Sequence, residues 1–154
     1  MRSFSQITRT SGNPFAGAES SVLNYLLDTH ILIWRLTDFR RLSRDQNRVL
    51  DRLEERNESF AISGITLLEM AVLQGSKPKR DAGGVQPLLS ALASTPFCQI
   101  LPITTDIALE VNALGDALRD PGDRTIVATA RVHNLRLITS DHRIISSGLV
   151  PVIA

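Results

Sequence analysis

Leu23-Asn24-Tyr25-Leu26-Leu27-Asp28-Thr29-His30-Ile31-Leu32-Ile33-Trp34 decides how this chain folds. Leu23 to Leu27 has the length and apolar content of a strand covered on both faces of a parallel sheet. Asp28 closes it, and Thr29 to Arg35 follows a short helical pattern. The alternation then repeats. Helices are expected over Arg44–Arg56 behind a Ser43 cap, with Val49, Leu50 and Leu53 facing inward, and from about Ile65 to Gln74. Further helices are expected at Val85–Ala93, from a Thr104 cap to about Ala113, and over Asp123–Val132. Strands are expected at Phe60–Ile62, Cys98–Leu101 and Leu135–Ile138, with an edge strand at Val150–Ile153 and a helical turn at Asp141–Ile145. Gly75 to Gly84 and Gly115 to Gly122 read as loops. Such repetition predicts an α/β fold of three layers, a central parallel sheet flanked by helices.

Four carboxylates stand where apolar segments end or are interrupted. Asp28 follows the first strand. Glu69 breaks Ile65-Thr66-Leu67-Leu68 from Met70-Ala71-Val72-Leu73. Asp123 precedes Ile126-Val127-Ala128, and Asp141 follows Leu135-Arg136-Leu137-Ile138-Thr139-Ser140. In open α/β sheets the carboxyl ends of the strands line the ligand-binding edge. Acidic groups gathered there repel one another and stay ionised together only beside a cation. Oxygen donors without Cys or His favour Mg²⁺, or Mn²⁺ in its place, over zinc. A hard cation held by carboxylates points to phosphodiester chemistry.

Each residue also has an ordinary structural role to weigh. Asp and Thr are common helix caps, so Asp28-Thr29 alone carries no function. His30 and Trp34 read as packing residues, Trp34 in the core with its N–H bonded to backbone. Glu69 is harder to dismiss: Ile65, Leu68, Val72 and Leu73 surround it on the helix, and an unpaired buried carboxylate costs several kcal/mol or takes up a proton. In Asp120-Pro121-Gly122-Asp123-Arg124, Asp123 suits a helix start, and Asp120 either supports it or stabilises the turn. Thr139, before Asp141, is placed to orient a water at the cation.

The chain has 154 residues, 43% hydrophobic and 21% charged, with a formal net charge of +1. This suits one soluble domain with a substantial core. Met1 to Ser21 is rich in Ser, Thr, Gly and Asn without periodicity and reads as a disordered tail, with initiation near Val22 as an alternative. The tail lacks the apolar centre of a secretory signal, and no apolar run approaches the ~20 residues of a bilayer span. The single Cys98 permits no intramolecular disulfide, which suits a reducing cytoplasm, and it reads as a buried structural thiol. Near-neutral charge gives no overall attraction to nucleic acid. Arg35, Arg40, Arg41, Arg44, Arg48 and Arg52 nevertheless crowd one region, and Lys77, Lys79 and Arg80 form a second basic cluster. Both suit solvated helix faces; beside an acidic metal centre they could also grip phosphates.

The motifs resemble a known family. Leu26-Leu27-Asp28-Thr29-His30-Ile31-Leu32-Ile33-Trp34 is similar to the opening strand and helix of PIN-domain ribonucleases, particularly VapC-type toxins of bacterial toxin–antitoxin pairs. Ile62-Ser63-Gly64-Ile65-Thr66-Leu67-Leu68-Glu69-Met70-Ala71 resembles their second acidic motif. Asp120-Pro121-Gly122-Asp123-Arg124 before Ile126-Val127-Ala128-Thr129-Ala130 resembles the third, and Leu137-Ile138-Thr139-Ser140-Asp141 the fourth. The resemblance implies a PIN domain over residues 22–154. It further implies one or two Mg²⁺ ions held by Asp28, Glu69, Asp123 and Asp141, supported by Thr29, Asp120 and Thr139. The implied activity is endoribonuclease cleavage of RNA, restrained by a VapB-like antitoxin, with the toxin a homodimer. Lys77, Lys79 and Arg80 become candidate RNA contacts.

Three rivals stand against this expectation. A haloacid-dehalogenase-type phosphatase needs a second Asp two residues after its nucleophile, where this chain has His30. A receiver domain needs an acidic pair after its first strand, which is missing. A PIN-like module that binds RNA or protein without catalysis would have little need of carboxylates at all four positions.

Overall fold

Strand β1 (Tyr25–Leu27) sits in the middle of a five-stranded, wholly parallel sheet of order β3-β2-β1-β4-β5. The computed structural model describes residues 22–75 and 85–154. The other strands are β2 (Phe60–Ser63), β3 (Cys98–Leu101), β4 (Arg136–Ile138) and β5 (Val152–Ile153). The helices are α1 (Thr29–Thr37), α2 (Arg44–Arg56), α3 (Gly64–Gly75), α4 (Val85–Ala93), α5 (Thr105–Ala113), α6 (Pro121–Val132) and α7 (His142–Ser147). The three-layer α/β expectation holds. The disordered-tail reading of Met1 to Ser21 falls outside the described residues, as do Lys77, Lys79 and Arg80.

Side-chain alternation along the strands builds the layers. Leu26, Ala61 and Leu137 point to one face and pack with Ile107, Ile126, Val127, Ala130 and Ile144 from α5, α6 and α7. Leu27, Phe60, Ile62 and Ile138 point to the other and pack with Ile31, Leu32, Leu50, Leu53, Met70 and Leu92. Those partners come from α1 to α4, so both faces of the short central strands are covered. Among the described residues no helix is long and apolar enough to cross a membrane.

Most boundaries move by one or two residues from expectation, and the larger shifts have local causes. Helix α6 starts at Pro121, not Asp123, because Asp120 accepts a hydrogen bond from the Asp123 amide at 3.0 Å and Pro121 presets the first helical φ. The expected loop from Gly115 to Gly122 instead contains a 3-10 turn at Gly115–Ala117 and the buried Leu118. Trp34 is half-buried with the Arg41 guanidinium 4.4 Å from its ring centroid. His30, expected to pack inside, is exposed with its ring 5.9 Å from that of Trp34. Cys98 is half-buried at the start of β3, and burial pushes its thiol up to about 11.

Three of the six arginines in the first cluster are paired with acidic residues of the chain. Arg35 is buried against Asp51 and Glu54, Arg40 pairs with Asp38, and Arg48 with Asp45.

One buried polar residue ties α2 to the carboxyl end of β4. Ser43 and Gln46 form a reciprocal capping box, with Ser43 Oγ accepting from the Gln46 amide at 3.1 Å and Gln46 Oε1 from the Ser43 amide at 3.0 Å. The Gln46 amide group then donates to Thr139 O at 3.2 Å and to Ser140 Oγ at 2.9 Å. Replacing Gln46 with Ala removes the second half of the cap and leaves the Thr139 carbonyl without this donor. We expect a loss of about 2–4 kcal/mol in a urea melt, summing a cap and buried hydrogen bonds.

Candidate metal centre

Where β1 and β4 lie side by side, the chain reverses its direction of travel across the sheet, and a crevice opens at the carboxyl ends of the strands. Leu27 is in register with both Ile62 and Ile138, so Asp28, Ser63 and Thr139 begin the crevice at one level. The Asp28 amide donates to Ile138 O at 3.0 Å, which fixes the turn out of the strand.

Asp28 is buried at the N-cap of α1, and its Oδ2 accepts from Thr139 Oγ1 at 2.6 Å. That hydroxyl also accepts from the Asp141 amide at 3.1 Å, so its proton is directed at Asp28. Thr139 thereby locks Asp28 to the start of the Asp141 turn. Burial raises the Asp28 pKa above the ordinary range; the Thr139 bond opposes this and the Asp141 charge adds to it.

Glu69 comes from the second turn of α3, and Thr29 Oγ1 donates to its Oε2. Thr66 Oγ1 lies 3.3 Å from the Thr29 hydroxyl. The apolar helical neighbours do not bury Glu69 as expected, because Leu68 and Val72 are each 60% exposed. Its pKa is raised by burial of the carboxylate in the crevice, against the Thr29 bond, with the charges of Asp28 and Asp120 adding.

Asp123, in the first turn of α6, is pushed up to about 6, chiefly by burial. Arg143 opposes that rise, while Asp120, Asp141 and Asp28 reinforce it. Asp141 caps α7 and moves the other way, held below the ordinary range by its hydrogen bonds to Arg143. The Arg143 Nη2 lies 3.1 Å from Asp123 Oδ2 and 2.7 Å from Asp141 Oδ2.

Asp28, Glu69, Asp123 and Asp141 therefore reach one crevice, with Thr29, Thr139 and Asp120 supporting them. Among the described residues, no three His, Cys, Asp or Glu side chains converge closely enough to hold a metal ion as they stand. The chemistry of the donor set does fit Mg²⁺ or Mn²⁺: the candidates are carboxylates alone, and burial, with neighbouring carboxylates adding, raises the proton affinity of Asp28, Glu69 and Asp123.

Two contributors went unassigned in the sequence. A Cβ at Gly122 would run into Glu69 Oε1 and crowd Asp120 Oδ1, so glycine leaves Glu69 room to lie against α6 in its present position. A glycine in a helical first turn between two Asp residues was the signal. Arg143 gave none, since an arginine after a helix cap is ordinary.

The PIN domain family model matches residues 25–147. The chain is 32% identical over 120 residues to Ribonuclease VapC22 of Mycobacterium tuberculosis, spanning 77% of this chain and 88% of that protein. A toxin-antitoxin complex from Klebsiella pneumoniae superposes with a TM-score of 0.62 at 25% identity, covering 85% of this chain and 97% of that one. VapBC2 of Rickettsia felis, bound to a promoter DNA fragment, shares the fold with a TM-score of 0.65 at 18% identity, with the same coverage of 85% and 97%. The chain belongs to the PIN-domain family, as a VapC-like member.

The raised carboxylates give a pH signature. A group that binds its proton more tightly when folded stabilises the fold at low pH and loses that contribution as pH rises through its folded pKa. For Asp123 the loss runs from its ordinary 3.8 to about 6, and Asp28 and Glu69 act in the same direction. Asp141 acts oppositely, its contribution fading as pH falls below the ordinary carboxylate value. In chelator, the urea midpoint is expected to be higher at about pH 5 than at about pH 7. Asp123→Asn, uncharged throughout, should shrink that difference.

Proposed function

We propose that this chain is a divalent-metal-dependent endoribonuclease, the toxin of a toxin–antitoxin pair, with Asp28, Glu69, Asp123 and Asp141 as its metal-binding carboxylates. What chiefly supports this reading is the crevice itself, where Asp28, Glu69 and Asp123 all hold protons more tightly than normal, chiefly through burial, with neighbouring carboxylates adding to the effect. A cation would relieve that repulsion, and Mg²⁺, with Mn²⁺ able to replace it, suits an all-oxygen set. When bound, such an ion supplies Lewis-acid stabilisation of charge on the phosphate and makes water a stronger nucleophile. The protein's own part is placement. Thr139 holds Asp28 through its proton, Thr29 holds Glu69, and Asp120 caps α6 so that Asp123 faces the crevice. The similarity to a VapC ribonuclease supports RNA as the substrate, and the single Cys98, which permits no intramolecular disulfide, supports a reducing cytoplasm as the place of action. Lys77, Lys79 and Arg80 are proposed RNA contacts on sequence grounds alone.

For partners we propose a VapB-like antitoxin and a second copy of the chain. Structural neighbours include toxin-antitoxin complexes. On α3, Leu68, Val72 and Leu73 are exposed beside Glu69, leaving apolar surface for a protein partner next to the crevice.

The test is cleavage of RNA by purified protein in Mg²⁺ or EDTA. Wild type should cut in Mg²⁺ and stop in EDTA. Asp28→Asn, nearly constant in volume, should lose at least about 100-fold in rate, the upper end of what even outer groups of a metal site cost. Equal cleavage by Asp28→Asn, with contaminating nuclease excluded, would overturn the reading.

Gly122→Ala separates site from scaffold. The new methyl group should displace Glu69 while Ala favours the helix over Gly by about 1 kcal/mol. Thermal stability in chelator should stay level or rise, and the Mg²⁺-dependent rate should fall by about tenfold or more.

A further inference from the structure

Arg143 stands over the acidic crevice as its only guanidinium contact among the ion pairs of Asp123 and Asp141 in the described residues. It engages both oxygens of Asp141. Oδ1 accepts from the Arg143 amide at 2.8 Å and from Nε at 3.2 Å, and Oδ2 accepts from Nη2 at 2.7 Å. The same Nη2 reaches Asp123 Oδ2 at 3.1 Å. One end of the guanidinium therefore bridges two carboxylates that belong to different elements, α6 and the cap of α7.

The exposures of the three side chains are unequal, and the difference decides what Arg143 can do. The Asp123 and Asp141 side chains are 15% and 24% exposed, whereas that of Arg143 is 66% exposed. The carboxylates are fixed within the crevice wall. The arginine arrives from solvent on a flexible stem and can withdraw without disturbing the core. An exposed ion pair of this kind adds little to folding stability, so scaffolding alone does not account for it. A guanidinium cannot lose its proton at any ordinary pH, so it is a permanent positive charge on two of the carboxylates proposed to hold a metal.

We propose that Arg143 is a built-in counter-cation of the acidic centre, which a divalent metal must displace from Asp123 and Asp141 in order to bind. This rests on the metal-dependent reading of the site. While Arg143 is in place, it holds Asp123 and Asp141 together without metal and spends the lone pairs that a cation would use. Metal affinity is then the intrinsic affinity of the carboxylates reduced by the free energy of the two ion pairs. The effect is a raised metal threshold, set by one residue that lies outside the donor set itself.

Isothermal titration of the purified full chain with Mn²⁺ and with Mg²⁺ tests this, comparing wild type with Arg143→Gln, Arg143→Lys and Asp123→Asn. Arg143→Gln should bind Mn²⁺ at least about 5-fold more tightly, the lower end of ordinary coupling between sites. Arg143→Lys keeps the charge but not the fork, and should lie between wild type and Arg143→Gln. Saturating Mn²⁺ should raise the melting temperature of Arg143→Gln by more than that of wild type. Equal or weaker Mn²⁺ binding by Arg143→Gln overturns the proposal. If binding is seen in wild type, lost in Asp123→Asn and unchanged in Arg143→Gln, the metal reading stands and the arginine role falls. Absence of binding in wild type and Arg143→Gln alike removes both.

Discussion

Everything at the crevice depends on β1 being paired in parallel with β2 on one side and β4 on the other. Strands distant in sequence thereby end at one level, and residues that follow them must share a small volume. Parallel pairing also requires long crossovers, so helices leave that same edge with their N-termini close by. Asp28, Asp120 and Asp141 each stand at the N-cap position of one of these helices, and the side chains of Asp120 and Asp141 accept a cap hydrogen bond there. The acidic character of the edge is thus partly a by-product of ending strands and starting helices well. Its crowding is not.

That crowding stores electrostatic tension. Asp28, Glu69 and Asp123 all have raised proton affinity, and burial leads the causes for each. Ordinary caps are solvated and stay ionised at no cost. Here hydroxyls are spent on holding carboxylates in place: Thr139 on Asp28, and Thr29 on Glu69. Beneath them, Ser63 and Thr129 pair at 3.0 Å, and Gln46 fastens the Thr139 turn from the far side. A fold concerned only with stability would fill these positions with apolar side chains, since burying polar groups gains little even when they are paired.

Family membership and this geometry meet at the same residues without depending on each other. The match to the PIN domain rests on the run from residue 25 to 147. The crevice rests on the level at which three strands end. Arg143 belongs to the geometry alone, since its importance comes from two distances and an exposure, with no motif behind it.

The sequence alone determined the architecture and the acidic set. Short apolar runs alternating with amphipathic helices admit few arrangements other than a covered parallel sheet, and a carboxylate at the end of such a run is visible by position. Boundaries at Ser43 and Thr104 could be read because caps are local chemistry. Tertiary structure decided whatever depends on distance across the chain. It turned Leu68 and Val72 outward, although their helix reads as apolar, because burial depends on what packs alongside. It moved His30 to the surface and turned the Thr139 hydroxyl onto Asp28. It also set Gly122 against Glu69 and Arg143 against Asp123. Hydrogen bonds and ion pairs between residues far apart in sequence leave no periodic trace in it, and they become readable only when the sheet brings those residues together.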